Sequence, residues 1–254
     1  MNRCWICGNP ATTGEHKVKR SDLERIHGSG SEFKSADLAY RKSDQSIVQL
    51  QGPNSKLVKY KHVLCGACNN ARTQPFDKSY DRFVRFIESQ TTALLSRRQL
   101  DFASIYGSSW RKQQAYLFKY FVKAFGCRIA DAGQPVPNDL RKIFADQYPA
   151  QSFAICLAVD EDEVEKPAES RNRLGIGHLV HSTSEGAEIR FAASSRYRWL
   201  LVSYWYNWGP YGPVGEPWHT NQQFLCLGSY RKDDGQVKVQ REDGSLFDWQ
   251  GIES

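Results

Sequence analysis

The sequence has no run approaching the ~18 consecutive apolar residues that a membrane span needs. Its opening, MNRCWICGNP, lacks the charged-then-apolar layout of a secretion signal. Both absences argue against a membrane or exported protein and predict a soluble, cytoplasmic one. No internal repeat or low-complexity tract is present either, which excludes solenoid and fibrous architectures. Cysteine is too sparse, and odd in number at seven, for a disulfide scaffold. The 254 residues carry 40% hydrophobic and 13% aromatic side chains, enough to bury one large core or two smaller ones.

The net charge of +6 is unevenly spread. Residues 1–100 hold 17 Lys+Arg against 9 Asp+Glu, or +8, and the remaining 154 hold 17 against 19, or −2. A basic surplus confined to one half favours contact with a polyanion, the phosphate backbone being the commonest. The same surplus also serves solubility, so it needs a second signal.

Patterning divides the chain. Residues 1 to about 75 are rich in Gly, Ser, Asn and Lys, with strand-like runs at Ser46 to Leu50 and Leu57 to Leu64. From Asp77 the spacing turns helical, through Phe76, Tyr80, Phe83, Val84, Ile87, Leu94 and Leu95, and predicts a helix capped by Asp77 and running to about Arg98. A second helix is expected from about Ser109 to Phe125, with Arg111, Lys112, Lys119 and Lys123 outside, and a short third from Asn138. Strands are then expected at Phe153 to Val159, Gly175 to His181, Ala187 to Ala193, Arg198 to Trp205, Phe224 to Tyr230 and Gln236 to Gln240. The acidic stretch Asp160 to Glu169 reads as an exposed loop. The aromatic segment 204–219 admits two readings, a stacking platform for bases or the closure of a sheet edge.

Chemistry concentrates in the first hundred residues. Cys4/Cys7 and Cys65/Cys68 form two C-x-x-C pairs, each in a tight turn, C-W-I-C-G and C-G-A-C-N. A two-residue spacer lets both thiolates face one cation, and four thiolates make a closed structural zinc site with no open position for catalysis. Cys127, Cys156 and Cys226 stand alone in apolar surroundings and read as core residues. Between the pairs lies Glu15-His16, followed by Lys17, Lys19 and Arg20; directly after Cys68 come Asn69 and Asn70.

This order, C-x-x-C, an acidic-His dipeptide, then a strand leading into L-C-x-x-C-N, resembles the zinc-containing HNH, or ββα-metal, endonucleases over about residues 4–77. The resemblance implies a metal-dependent hydrolase of phosphodiester bonds, a nuclease whose expected substrate is DNA. His16 would be the general base. Glu15 and Asn69 would ligate one divalent ion, for which oxygen ligands suit magnesium or manganese. Lys17, Lys19, Arg20, Lys59, Lys61 and Arg72 are the candidate phosphate contacts. The sequence departs from the family where many members carry an Asn that orients the base: Tyr60 stands there, and strand alternation places His62 on the same face, so either could approach His16. His27, His178, His181 and His219 have no such context.

The expected fold is therefore α+β: an N-terminal zinc-stapled ββα-metal module in residues 1–98, then helices and a C-terminal antiparallel β-rich region in residues 99–254. The second part would supply target selection, regulation, or contact with a second copy or a partner protein. The competing reading is a catalytically silent zinc module that only binds nucleic acid or other partners.

Overall fold

The computed structural model describes residues 2–36, 38–41, 46–148, 152–172, 174–182, 189–207, 215–233, 236–240 and 246–249. The fold is α+β. It comprises two compact units, Met1–Pro75 with Tyr120–Tyr148, and Phe76–Lys119 with Pro149–Ser254. A single cut after residue 98 is thus replaced by units that alternate along the chain, residues 120–148 returning to the N-terminal one. No helix among the described residues is long and apolar enough to cross a membrane.

In chain order the first elements are β1 (Thr13–His16), α1 (Arg20–His27), α2 (Ser31–Ser35), β2 (Ala39–Arg41), β3 (Ile47–Gln49) and β4 (Lys59–Leu64). Helix α1 was not expected from the sequence. It is one short amphipathic stretch whose buried members are Asp22 and Leu23, the aspartate being ion-paired to Arg25 at 2.8 Å. There follow α3 (Gln74–Ser89), α4 (Thr91–Arg97), β5 (Gln99–Asp101), α5 (Phe102–Tyr106), α6 (Trp110–Asp131) and α7 (Asn138–Ile143). The helix expected to run to Arg98 breaks at Gln90, and Asp77 lies inside the first turn of α3 instead of capping it; a carboxylate there still suits the positive end of the helix. The last elements are β6 (Phe153–Asp160), α8 (Glu161–Val164), β7 (Leu174–Ile176), β8 (Val180–Ser182), β9 (Arg190–Tyr197), β10 (Leu200–Tyr206), β11 (Phe224–Cys226), β12 (Gly228–Asp233), β13 (Gln236–Gln240) and β14 (Leu246–Trp249).

The N-terminal unit is built on the antiparallel pair β1–β4 and on the second half of α6. Trp5, in the first cysteine turn, joins the two. Its ring lies against Gly126 so closely that a Cβ at that position would collide with it, its Nε1 donates to Cys127 Sγ at 3.3 Å, and Phe144 meets it edge-on at 5.4 Å. Gly126 is therefore required inside a helix, where glycine is otherwise costly. Helix α6 is buried nearly all round, with Phe121, Val122, Phe125, Cys127 and Ile129 at most 3% exposed. For that reason Lys119 and Lys123, expected on an outer face, are only 5% and 1% exposed.

The second unit carries an eight-stranded sheet in the order β14-β13-β12-β6-β10-β9-β7, with β8 also pairing with β9. All its pairings are antiparallel except β12 with β6. One face of its centre is large and apolar, through Phe153, Ile155, Leu157 and Val159 of β6 and Leu200, Val202, Tyr204 and Tyr206 of β10. Trp218 is core as well, stacked on Phe102 at 5.3 Å. Within the segment 204–219 the described aromatics are thus buried, as a sheet closure requires, and residues 208–214 lie outside the described residues. The acidic stretch is not a loop in its first half. Asp160 ends β6 fully buried and caps α8 through Glu163 N, Glu161 pairs with Arg98 at 2.6 Å, and buried Glu163 pairs with Lys166 at 2.6 Å. Only residues 165–170 are exposed. Cys127 and Cys156 are core as expected, but Cys226 is exposed on the short edge strand β11.

Candidate functional site

The four thiols of Cys4, Cys7, Cys65 and Cys68 converge, every Sγ within 4.8 Å of the others. Cys7 and Cys65 are 3.6 Å apart, far from the ~2.05 Å of a disulfide and close to the edge of a tetrahedron of sulfurs ~2.3 Å from a central zinc. The cluster fits a metal ion such as zinc. Each turn is shaped for it. Gly8 takes a positive φ of 78° just after the first pair, and the Cys4 carbonyl accepts from Gly8 N at 2.8 Å. In the second turn Cys68 N donates to Cys65 Sγ at 3.4 Å, the main reason that thiol is lowered to about 7.

The second cysteine turn leads straight into a wide helical turn, Cys68–Arg72, and so fixes Asn69, whose backbone N–H returns to the Cys65 carbonyl at 2.9 Å. The Asn69 side chain reaches β1, its Nδ2 donating to Gly14 O at 3.2 Å. Because a carbonyl can only accept, this bond fixes which end of the amide is the oxygen. That oxygen, Oδ1, is buried without a hydrogen-bond partner. Strand β1 is irregular here. Its register against β4 shifts on both sides of Gly14, the pairs being Thr13 with Leu64, Gly14 with His62, and His16 with Lys59. A Cβ on Gly14 would run into Tyr60 O, so glycine lets the bulged strand approach.

The residues that sequence singles out, Glu15, His16 and Asn69, lie in one unit, with the Asn69 side chain against the backbone of β1 at Gly14. His16 is half-buried, and its Nε2 is the second buried polar atom of the site with no hydrogen-bond partner. Burial, and then the charge of Lys59, lowers its pKa below the ordinary 6.5, against a raising interaction in which the ring N–H faces the Asn54 side-chain oxygen. Asn54, in the loop before β4, thus faces the histidine, and the sequence offers no pattern to find it. Tyr60 turns elsewhere: its hydroxyl accepts from Arg128 Nε at 3.5 Å, and burial pushes the phenol up. His62 is exposed opposite Gly14.

A second residue was also not foreseen. Lys123 of α6 places its Nζ 3.3 Å from Glu15 Oε2 and 3.4 Å from Thr73 Oγ1, and Thr73 in turn donates to Asn69 O at 3.2 Å. The candidate phosphate contacts are spread around this centre. Lys59 pairs with His16 across the sheet, and Lys61 is exposed beside it. Lys17 lies over the Tyr40 and Tyr60 rings at 5.8 Å, and Lys19 lies over Tyr120 at 5.6 Å. Arg20 is paired with Glu24 at 2.7 Å, and exposed Arg72 stands over Phe144 at 5.9 Å.

The Asn69 amide oxygen and the Glu15 carboxylate are hard oxygen donors, whereas the thiolates of the cluster are soft. Comparison with protein-family models, with curated proteins and with solved structures gives no match.

Proposed function

We propose that this chain is an HNH-type endonuclease that hydrolyses phosphodiester bonds of DNA, with zinc in the cysteine cluster and a catalytic magnesium or manganese ion on Glu15 and Asn69. The observation that carries the reading is the pair of buried, unpartnered acceptors, His16 Nε2 and Asn69 Oδ1, beside Glu15 on a bulged strand. Buried polar atoms are nearly always satisfied, and those that are not tend to mark sites awaiting a ligand.

In this mechanism His16 Nε2 takes the proton of the attacking water, and Asn54 holds the ring in place. A divalent ion held by Glu15 and Asn69 would supply positive charge against the negative charge that builds on a departing 3′ oxygen. Lys59 and Lys61, with Lys17, Lys19, Arg20 and Arg72, hold the phosphate backbone. An ion held by Cys4, Cys7, Cys65 and Cys68 would have no open position for chemistry and would serve to fix the two cysteine turns. Products would carry 5′-phosphate and 3′-hydroxyl ends.

A silent nucleic-acid-binding module is the competing reading, and Lys123 favours it, since a fixed ammonium already offsets part of the Glu15 charge. Incubating the purified chain with supercoiled and linear DNA in magnesium, manganese or chelator decides between them. Metal-dependent cleavage that His16→Ala lowers by ~10²–10⁴ supports the enzyme. Salt-dependent binding without any cleavage supports the silent module.

A further inference from the structure

The second unit contains a cavity of about 200 Å³ on the face of the sheet opposite its large apolar side chains. Its floor is made of small residues: Ser203 of β10 pairs directly with Ser194 of β9, so two hydroxymethyl groups occupy the middle of the sheet where neighbouring positions could have filled the space. Trp205 and Tyr230 line it, together with Arg196 and His178. His178 follows Gly177, whose N–H bonds to Ser194 O at 2.8 Å and whose missing side chain leaves room for the Ser194 hydroxyl.

The charge balance narrows what fits. Among the described lining residues Arg196 is the one Lys or Arg, and it lies 2.8 Å from the fully buried carboxylate of Asp160 and 5.2 Å over the Tyr230 ring. The contact with Asp160 is a charge contact off the hydrogen-bonding direction, yet it neutralises the guanidinium. The cavity is therefore close to neutral, mainly apolar, walled by aromatics and furnished with a few hydroxyl, imidazole and guanidinium groups. It is smaller than the ~300–1,000 Å³ usual for drug-sized ligands, which suits a single planar ring system.

We propose that this cavity binds one unstacked nucleobase of the nucleic acid, read by stacking on Trp205 or Tyr230 and by hydrogen bonds from Ser194, His178 and Arg196, with Ser203 Oγ, which donates to Cys156 O at 3.4 Å, placed to accept. The choice of a base over other neutral heteroaromatic rings rests on the nuclease reading above. A base inside a duplex exposes neither face, so an occupant of this cavity must be single-stranded or turned out of the stack.

The test uses the full chain in chelator, so that cleavage does not intervene. The probes are the four deoxynucleosides, followed by ligand-observed NMR, and a single-stranded oligonucleotide containing 2-aminopurine, followed by its fluorescence. Saturable binding of at least one deoxynucleoside and quenching of 2-aminopurine are expected. Ser203→Leu, which fills the floor, should abolish both, and Tyr230→Ala, at a half-exposed position, should weaken them at least about fivefold. A melting curve shows whether each variant is folded. No saturable binding by the unaltered chain, or equal binding by folded Ser203→Leu and Tyr230→Ala, overturns the proposal. Nucleoside binding without DNA cleavage in magnesium or manganese would leave this site standing and sink the nuclease, whereas cleavage without nucleoside binding would do the reverse.

Discussion

Lys123 and Glu15 stand 108 residues apart in sequence, and Lys123 Nζ lies 3.3 Å from Glu15 Oε2 with the lysine side chain only 2% exposed. An ammonium so buried persists because its carboxylate partner offsets the cost of leaving water. Lys123→Met is therefore expected to destabilise the N-terminal unit by about 3–5 kcal/mol, and Lys123→Arg by less, since the charge is kept. Chemical denaturation checks this, and a Lys123→Met chain as stable as the parent would mean the pair holds nothing.

The same lysine competes for the carboxylate on which the proposed divalent ion depends. Glu15→Gln and Asn69→Ala should each raise the magnesium or manganese concentration needed for half-maximal cleavage with zinc content near the parent's, and Glu15→Gln, which leaves buried Lys123 without its carboxylate, should also lower the melting temperature. A metal titration of the cleavage rate reads this directly; an unchanged requirement in both variants would remove the assigned ligands.

Asn54→Ala should lower the cleavage rate by about 10- to 100-fold at saturating metal, because a base free to rotate spends less time aimed at its water. Its metal requirement should not move. If Asn54→Ala cleaves at the full rate while Tyr60→Phe is impaired, the orienting residue has been misassigned.

One zinc per chain is expected, bound by Cys4, Cys7, Cys65 and Cys68. Such a site contributes on the order of 10–16 kcal/mol of apparent binding energy, more than the small unit's own packing supplies. Elemental analysis should find the metal, and Cys65→Ser or prolonged chelation should unfold the N-terminal unit. Packing offers an independent check. Gly126→Ala should lose about 1–3 kcal/mol through collision with Trp5, although alanine is the better helix former.

Acid stability of the second unit should depend on Glu161. Its bonds from Arg98 and Ser229, opposed by desolvation, hold the folded carboxyl below the ordinary 4.5. A carboxyl so held binds its proton more weakly folded than unfolded. The stabilisation is complete above that value and is lost as pH falls through the lower folded one. Glu161→Gln should cost about 1–2 kcal/mol at neutral pH and progressively less below 4.5. Denaturation curves across that range test the convergence.

What the sequence by itself determined about this protein is local in origin. The two-residue spacers of the cysteine pairs, the Glu15-His16 dipeptide and the Asn69 that abuts Cys68 each carry their meaning within a few residues. The three- and four-residue spacing of Phe76, Tyr80, Phe83, Val84 and Ile87 likewise names the buried face of α3 without reference to anything distant. Lys123, Asn54, Arg196 and Asp160 could not be read this way. A lysine four positions from another on a helix looks like a solvated face until a carboxylate from a bulged strand is folded against it. An acidic run looks like a loop until its first aspartate closes a strand beside an arginine two strands away. Burial of charge depends on which remote partner arrives to offset the desolvation, and that pairing exists only in three dimensions.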